Sequence, residues 1–484
     1  MMESELTEQR IKEFERIFYP RAIAVVGASG NPLKMGSLWI KGLLSSGFEG
    51  PVYPVNPCGG EVSGLKMHPN LRSITGPVDL AVCCVPRTSV LGLLDDCAAK
   101  GVGAICMFTA GFGETGDAVW IGVEGEMVRI ARAGGFRIIG PNCLGVCCPE
   151  HGIPFGPCTL SVEAGSVGFI SQSDGHAGKM MGIAATRHIG LSKVVSAGNC
   201  CDLGILEYLQ YLAADPKTGV VGLYLEGPRD GRRLIEVMAA ASRKKPVVVW
   251  KGGRASAGAS AAGSGAGAPA ASSTVWSSAL RQAGAIEVQG LDEMADTLLL
   301  FQRVGRLEKS NLGIICGLTD GGGGEAVLAA DACAALGVNI TPFTERTRRE
   351  LLGLLGQVGS VLVNPLDVSQ RSGDLQALER AADLVAAEAG IDVIVVYENA
   401  DLLVKFMGRE VADLVNGVIL GLARKQSKPV IAVSPPGSVD AERLDIERRL
   451  SGAGIPVYPS MERAARAIAN VSQYYRRTAG LTYS

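Results

Sequence analysis

Short runs of β-branched and other apolar residues, each of strand length and each ending on glycine or a polar turn, alternate with amphipathic stretches along the whole chain. A continuous apolar run of that length suits a strand buried on both faces, and the intervening amphipathic stretches supply the crossover helices of a parallel sheet. The first such series opens with AIAVVGAS (residues 22–29), continues through GPVYPVNP, VDLAVCCVP and GAICMFTAG, and closes with FRIIGPNCLG; Ser89–Lys100 and Val123–Ala133 read as helices between them. A Gly- and Pro-rich loop, CCPEHGIPFGPCTLSVEAG, then marks a boundary. The second series runs SVGFISQS, KVVSAGN, GVVGLYLEG and PVVVWKGG, ends in the helical Asp292–Gln302, and is followed by a polar linker, Arg303–Asn311. The third runs LGIICGLTDGGG, ITPF, IDVIVVYEN, PVIAVSPPG and IPVYPS. This predicts an α/β protein of three doubly wound domains at residues 1–148, 149–302 and 311–484, in line with a length of 484 residues.

Charge and composition exclude several functions. Lys and Arg total 46 against 48 Asp and Glu, so no basic surplus is present to neutralise a polyanion and no nucleic-acid partner is expected. The apolar runs, such as Val220–Leu225 and Val393–Tyr397, are far shorter than a bilayer span, so no membrane association is expected. The charged opening, MMESELTEQRIKEFERIF, has the pattern of a helix and not of a signal peptide. Several of the thirteen cysteines lie inside buried-strand patterns (Cys83, Cys84, Cys106), as expected of reduced thiols in the cytoplasm. Cys143, Cys147 and Cys148 cluster as C-x₃-C-C, which lacks the paired C-x₂-C spacing of zinc sites, and no metal is expected.

The strand that ends in Gly27-Ala28-Ser29-Gly30 leads into a helix, and main-chain N–H groups at such a helix start favour phosphate. The spacing is not G-x-G-x-x-G, and the place where a dinucleotide fold offers an acid to a ribose reads Val52-Tyr53-Pro54-Val55-Asn56-Pro57, which argues against an NAD-dependent dehydrogenase. Residues 255–273, ASAGASAAGSGAGAPAASS, are either a low-complexity loop or a turn whose backbone passes close to a ligand.

VGAS, VYPVNP, Val85-Pro86, TAGFGE (Thr109–Glu114) and IIGPNCLG (Ile138–Gly145) stand in the order seen in the CoA-binding domain of succinyl-CoA synthetase relatives. ISQS (Ile170–Ser173), SAGN (Ser196–Asn199), LYLEG (Leu223–Gly227), KGGR (Lys251–Arg254), RQAG (Arg281–Gly284) and NPLDV (Asn364–Val368) continue the series. From about Ile17 to Tyr475 the chain resembles the α subunit of ADP-forming acyl-CoA synthetases. The resemblance implies a Rossmann-like CoA-binding domain followed by two flavodoxin-like CoA-ligase domains. It also implies a cytoplasmic acid–thiol ligase that joins a carboxylic acid to coenzyme A in a hetero-oligomer. ATP, ADP and Mg²⁺ would enter through a separate ATP-grasp β subunit, and no P-loop is present in this sequence. The family's coenzyme site maps onto Gly27, Ser29, Lys34, Gly36, Asn56, Val85, Pro86, Ala110, Gly111 and Asn142. Lys34 is either a point charge for a CoA phosphate or a solvated surface lysine, and Asn56 and Asn142 serve equally as turn residues.

Departures from the family gather at the phosphate-handling loop, Ser171, Ser173 and Asp174. The family carries phosphate on a histidine whose position falls on Gly265 of AAGSGAGA, and glycine has no nucleophile. ISQSG of the family is ISQSD here, which sets Asp174 at a helix start where phosphate would be greeted, and the segment after SAGN is shorter. Of the four histidines (His68, His151, His176 and His188) only His176 falls in the facing loop. It reads as a relocated phosphoacceptor, as a base for the CoA thiol, or as a surface residue of its helix. Glu226 of LYLEG matches the carboxylate that orients the family histidine and either orients His176, binds substrate or is structural. Two other functions stay open on the sequence: a non-catalytic sensor or regulatory protein that binds CoA or acyl-CoA, and a CoA-transferase that needs no nucleotide.

Overall fold

A computed structural model describes residues 7–157, 160–227, 230–253, 273–318, 322–356, 362–371 and 373–479. The chain forms two compact units, residues 1–294 and 295–484. The first unit holds two sheets. In the first sheet five parallel strands lie in the order Val52–Val55, Ile23–Val26, Leu80–Cys83, Ala104–Met107, Arg137–Ile139. From Ile23–Val26 the chain winds outward to Val52–Val55 and then crosses back to Leu80–Cys83 on the other side. This reversal opens a crevice at the carboxyl ends of those strands, where α/β sheets bind ligands.

The second sheet has six strands in the order Ile286–Val288, Val247–Lys251, Val220–Leu225, Ala164–Ser171, Leu191–Ser196, Gly145–Cys147. The first five run parallel, and Gly145–Cys147 adds to the edge antiparallel to Leu191–Ser196. Val220–Leu225 is buried at every position, as its uninterrupted apolar run requires. The helix Glu8–Phe18 seals the two sheets into one core: Phe14 and Phe18 stack on Tyr211 of helix Ile205–Ala214, with ring centroids 4.6 and 5.3 Å apart. Beneath it the fully buried Lys193 donates to Asp215 at 2.7 Å and to the Tyr19 hydroxyl at 3.1 Å.

The second unit is built on a third parallel sheet, ordered Asn339–Ile340, Asn311–Cys316, Val393–Tyr397, Val430–Val433, Val457–Tyr458, with Leu366–Asp367 paired beside Asn311–Cys316. NPLDV is its internal strut: the Asn364 side chain accepts from Ile314 N at 2.9 Å and donates to the carbonyls of Leu312 and Thr341 at 2.6 and 2.7 Å. Gly322, at the start of helix Gly322–Ala335, lies so close to Asp367 that a Cβ would sit 2.0 Å from its Oδ1. The expected Rossmann-like and flavodoxin-like grammar is therefore present in three sheets. Among the described residues no helix is long and apolar enough to cross a membrane.

Candidate functional site

The Gly27 turn is shaped by close backbone approach. Gly27 has φ +95°, and a Cβ there would lie 2.6 Å from the Cys84 carbonyl oxygen; at Gly36 a Cβ would lie 2.3 Å from the Gly27 oxygen. Helix Met35–Ser45 can start directly against the strand end only because both residues are glycine. Ser29 accepts from Asn31 N at 3.1 Å, and its carbonyl accepts from the Ser37 hydroxyl. Lys34 is the exposed N-cap residue of that helix. Asn56 donates to Ala28 O at 2.6 Å and accepts from Cys58 N at 2.9 Å, so its side chain braces the turn. On the other side of the crevice Val85, next to Pro86, accepts from the Thr109 hydroxyl at 2.7 Å. Gly111, which follows Ala110 and has φ +100°, accepts through its carbonyl from Arg87 Nη1 at 2.7 Å. The predicted coenzyme residues of the first four strand ends thus converge on one edge of the first sheet.

Asn142 joins a second feature, a cleft of 1170 Å³ where loops of the two sheets in the first unit meet. Asn142 has φ +57° beside the cis Gly140–Pro141 bond. The SAGN turn rests on it: a Cβ at Gly198 would lie 2.2 Å from Pro141 O, and Asn199 N donates to that same oxygen at 2.9 Å. The Asn199 amide then donates to Glu114 Oε2 and, at 2.6 Å, to Glu124 Oε1. Glu114 also accepts from the Gly111 and Phe112 amides. Burial pushes its carboxyl up, but the hydrogen bonds from Asn199 and these amides outweigh burial and hold it below the usual carboxylate range. Glu114, Glu124 and Asn199 line the cleft. Sequence reading quoted two of them inside motifs without assigning them a role.

Ser173, Asp174 and Glu226 line the same cleft. Ser171 and Ser173 are knotted to each other, and Ser173 caps helix Asp174–Arg187 by accepting from His176 N at 3.4 Å. Gln172 Oε1 accepts from the Glu226 and Gly227 amides at 2.7 and 3.2 Å and so fixes the turn that presents Glu226. Glu226 Oε1 accepts from the Tyr224 hydroxyl at 3.3 Å. His176 is not among the cleft-lining residues. Its ring packs against Tyr224 and Trp250, with centroids 4.4 and 4.7 Å away, and its buried Nδ1 has no hydrogen-bond partner among the described residues. Burial, with the Lys179 ammonium adding to it, holds this imidazole below the ordinary histidine value. His151 and His188 are engaged elsewhere, with Pro20 O at 3.0 Å and Glu163 at 2.6 Å. Gly265 lies outside the described residues. Cys143 and Cys148 are buried thiols; the Cys106 thiol and then burial push Cys143 up, and burial pushes Cys148 up.

A family model described as a CoA binding domain matches residues 21–149, and one described as a succinyl-CoA ligase like flavodoxin domain matches residues 164–301. The chain is 34% identical over 466 residues to the α subunit of acetate–CoA ligase [ADP-forming] II of Pyrococcus furiosus, covering 96% of this chain and 98% of that one. This chain belongs to the ADP-forming acetate–CoA ligase α-subunit family. The motif resemblance seen in the sequence is borne out. Against the single-chain acetate–CoA ligase [ADP-forming] I of Archaeoglobus fulgidus it is 36% identical over 354 residues, 73% of this chain, and spans 50% of that relative's length. The structure resembles the dinucleotide-forming acetyl-coenzyme A synthetase 1 of Ca. Korarchaeum cryptofilum, solved with phosphate and ADP, with TM-score 0.85 at 31% identity, covering 97% of this chain and 99% of that one.

Proposed function

We propose that this chain is the CoA-binding subunit of an acid–thiol ligase that makes an acyl-CoA from a carboxylic acid with an ATP-grasp partner subunit in the cytoplasm. The observation that carries the reading is the continuity of the Gly27–Gly36 turn, Gly111 and the Asn142–Asn199–Glu114 bridge. They lead from the start of helix Met35–Ser45, which suits an anion, to a cleft with hydrogen-bonding walls. CoA phosphates would lie at the helix start, with Lys34 as a point charge, and the thiol end would reach Asn142. An acyl phosphate in the cleft is attacked by the CoA sulfur at its carbonyl carbon; the S–C bond forms, the C–O bond breaks, and phosphate leaves with that electron pair. ATP, ADP and Mg²⁺ belong to the partner.

A second reading is favoured by glycine at 265: the chain binds CoA and acyl-CoA but carries no phosphate. Incubating the chain and an ATP-grasp subunit with γ-labelled ATP, short carboxylic acids and CoA separates the two. Thioester formation supports the ligase; saturable CoA binding without a thioester from any acid supports the sensor. Thioester exchange without nucleotide would identify a CoA-transferase.

A further inference from the structure

We propose that the Asp174 carboxylate accepts the proton of the CoA thiol when the thioester forms, a role that rests on the ligase reading above. Asp174 is the first residue of helix Asp174–Arg187 and lines the cleft. The Ser196 hydroxyl donates to its Oδ1 and itself accepts from Leu144 N at 3.2 Å. Leu144 is two residues beyond Asn142, where the thiol end of the coenzyme is placed. One hydroxyl therefore links the carboxylate to the loop that receives the thiol.

Every acid of the cleft, Asp174 included, accepts at least one hydrogen bond. Glu114 accepts at both oxygens, from Gly111 N at one and from Phe112 N and Asn199 at the other. Glu124 Oε1 accepts from Asn199 and Gly113 N, and Glu226 Oε1 from Tyr224. Asp174 accepts from Ser196, the hydroxyl that also takes the Leu144 amide of the Asn142 loop, and a carboxylate offers about four acceptor sites, so capacity for a thiol proton remains.

The chemistry needs such a group. A thiol of pKa about 8.5 is mostly protonated at neutral pH, while the thiolate is the nucleophile. Burial pushes the Asp174 carboxyl up, and the hydrogen bonds from Ser196 and Leu144 only partly offset it, which moves the acceptor toward the working pH. Sharing the cleft are the charged groups Glu114, Glu124, Arg132, Asp202, Glu207, Glu226, Asp230 and Arg233, and Cys143 lies near the carboxylate. As the S–C bond forms, the thiol proton moves to Asp174; phosphate departs with the C–O electrons and collects the proton directly or through solvent.

The test uses the full chain with CoA and acetyl phosphate, following thioester absorbance, with CoA affinity measured separately by calorimetry. Asp174→Asn keeps the shape and can still accept from Ser196. It is expected to lower kcat about 100-fold, to leave CoA Kd within about twofold, and to remove the acidic limb of the pH–rate profile. Ser196→Ala keeps the base but removes a hydrogen bond to its ionised form, so the acidic limb should move to higher pH. It decides the matter if the Asn variant does not fold. An Asn variant with wild-type kcat and pH profile, or an unmoved limb in Ser196→Ala, overturns the proposal. Tight CoA binding by the wild-type chain without turnover of any short acyl phosphate overturns it too, while leaving coenzyme docking intact. Absence of CoA binding is the separate failure of the functional reading.

Discussion

Asn199 Nδ2 lies 2.6 Å from Glu124 Oε1, a hydrogen bond that ties the turn at the end of one sheet to a helix flanking the other. The same amide also serves Glu114, so one neutral donor keeps two carboxylates together at the cleft wall.

Removing that donor leaves two acids facing each other. Asn199→Ala should therefore cost about 1–3 kcal/mol in denaturant unfolding and lower thioester formation more than tenfold. Asn199→Asp, which adds a third carboxylate, should be worse than Ala at pH 8 and recover at pH 5. Equal behaviour of the two variants across pH would show that charge is not what the amide manages.

How much of this was legible beforehand varies with range. Val220–Leu225 and Val393–Tyr397 were read as strands and are strands, because a short apolar run with no charged or polar break, five or six residues long, suits a buried strand. Gly145–Cys147 was not, since three residues carry no periodic signal and its partner Leu191–Ser196 is far along the chain. The Glu114–Asn199 contact joins residues 85 apart, and each motif alone looks like a turn. His176 lies in the first turn of helix Asp174–Arg187. Its aromatic seat depends on the register that sets Tyr224 beside Trp250 on neighbouring strands, which sequence does not disclose.

Glycines divide sharply by surroundings. Gly36→Ala should lower the melting temperature by several degrees and weaken CoA binding at least tenfold, because its methyl meets the Gly27 carbonyl oxygen. Gly92→Ala, in the exposed face of helix Val90–Lys100 with nothing within 4 Å, should be neutral or stabilise by about 0.5–1 kcal/mol. Paired thermal melts and CoA titrations of the two variants check this.

In the second unit, burial pushes the Glu398 carboxyl up to about 7, with Asn416 and Arg449 opposing it, and its Oε2 has no hydrogen-bond partner among the described residues. The folded state then holds the proton more tightly than the unfolded state, so stability falls as pH rises from 4.5 to about 7 and the penalty persists above that. Glu398→Gln should relieve a penalty on the order of 3 kcal/mol at pH 8 and almost none near pH 4.5. Urea unfolding at the two pH values measures the difference.

Lys193 and Asp215 form a pair with side chains 0% and 5% exposed. Lys193→Met strands a buried carboxylate and should destabilise the first unit by about 3–5 kcal/mol, while the double variant Lys193→Met/Asp215→Asn should recover much of the loss. A double-mutant cycle in denaturant gives the coupling directly.

The proposed activity requires the coenzyme to dock against the Gly27 turn. Calorimetric titration of CoA into the folded full chain tests this most directly. Saturable heat with a stoichiometry of one, displaced by acyl-CoA and lost in Gly36→Ala, is the predicted result. A flat titration with CoA and its thioesters, on protein shown to be folded by circular dichroism, would contradict it.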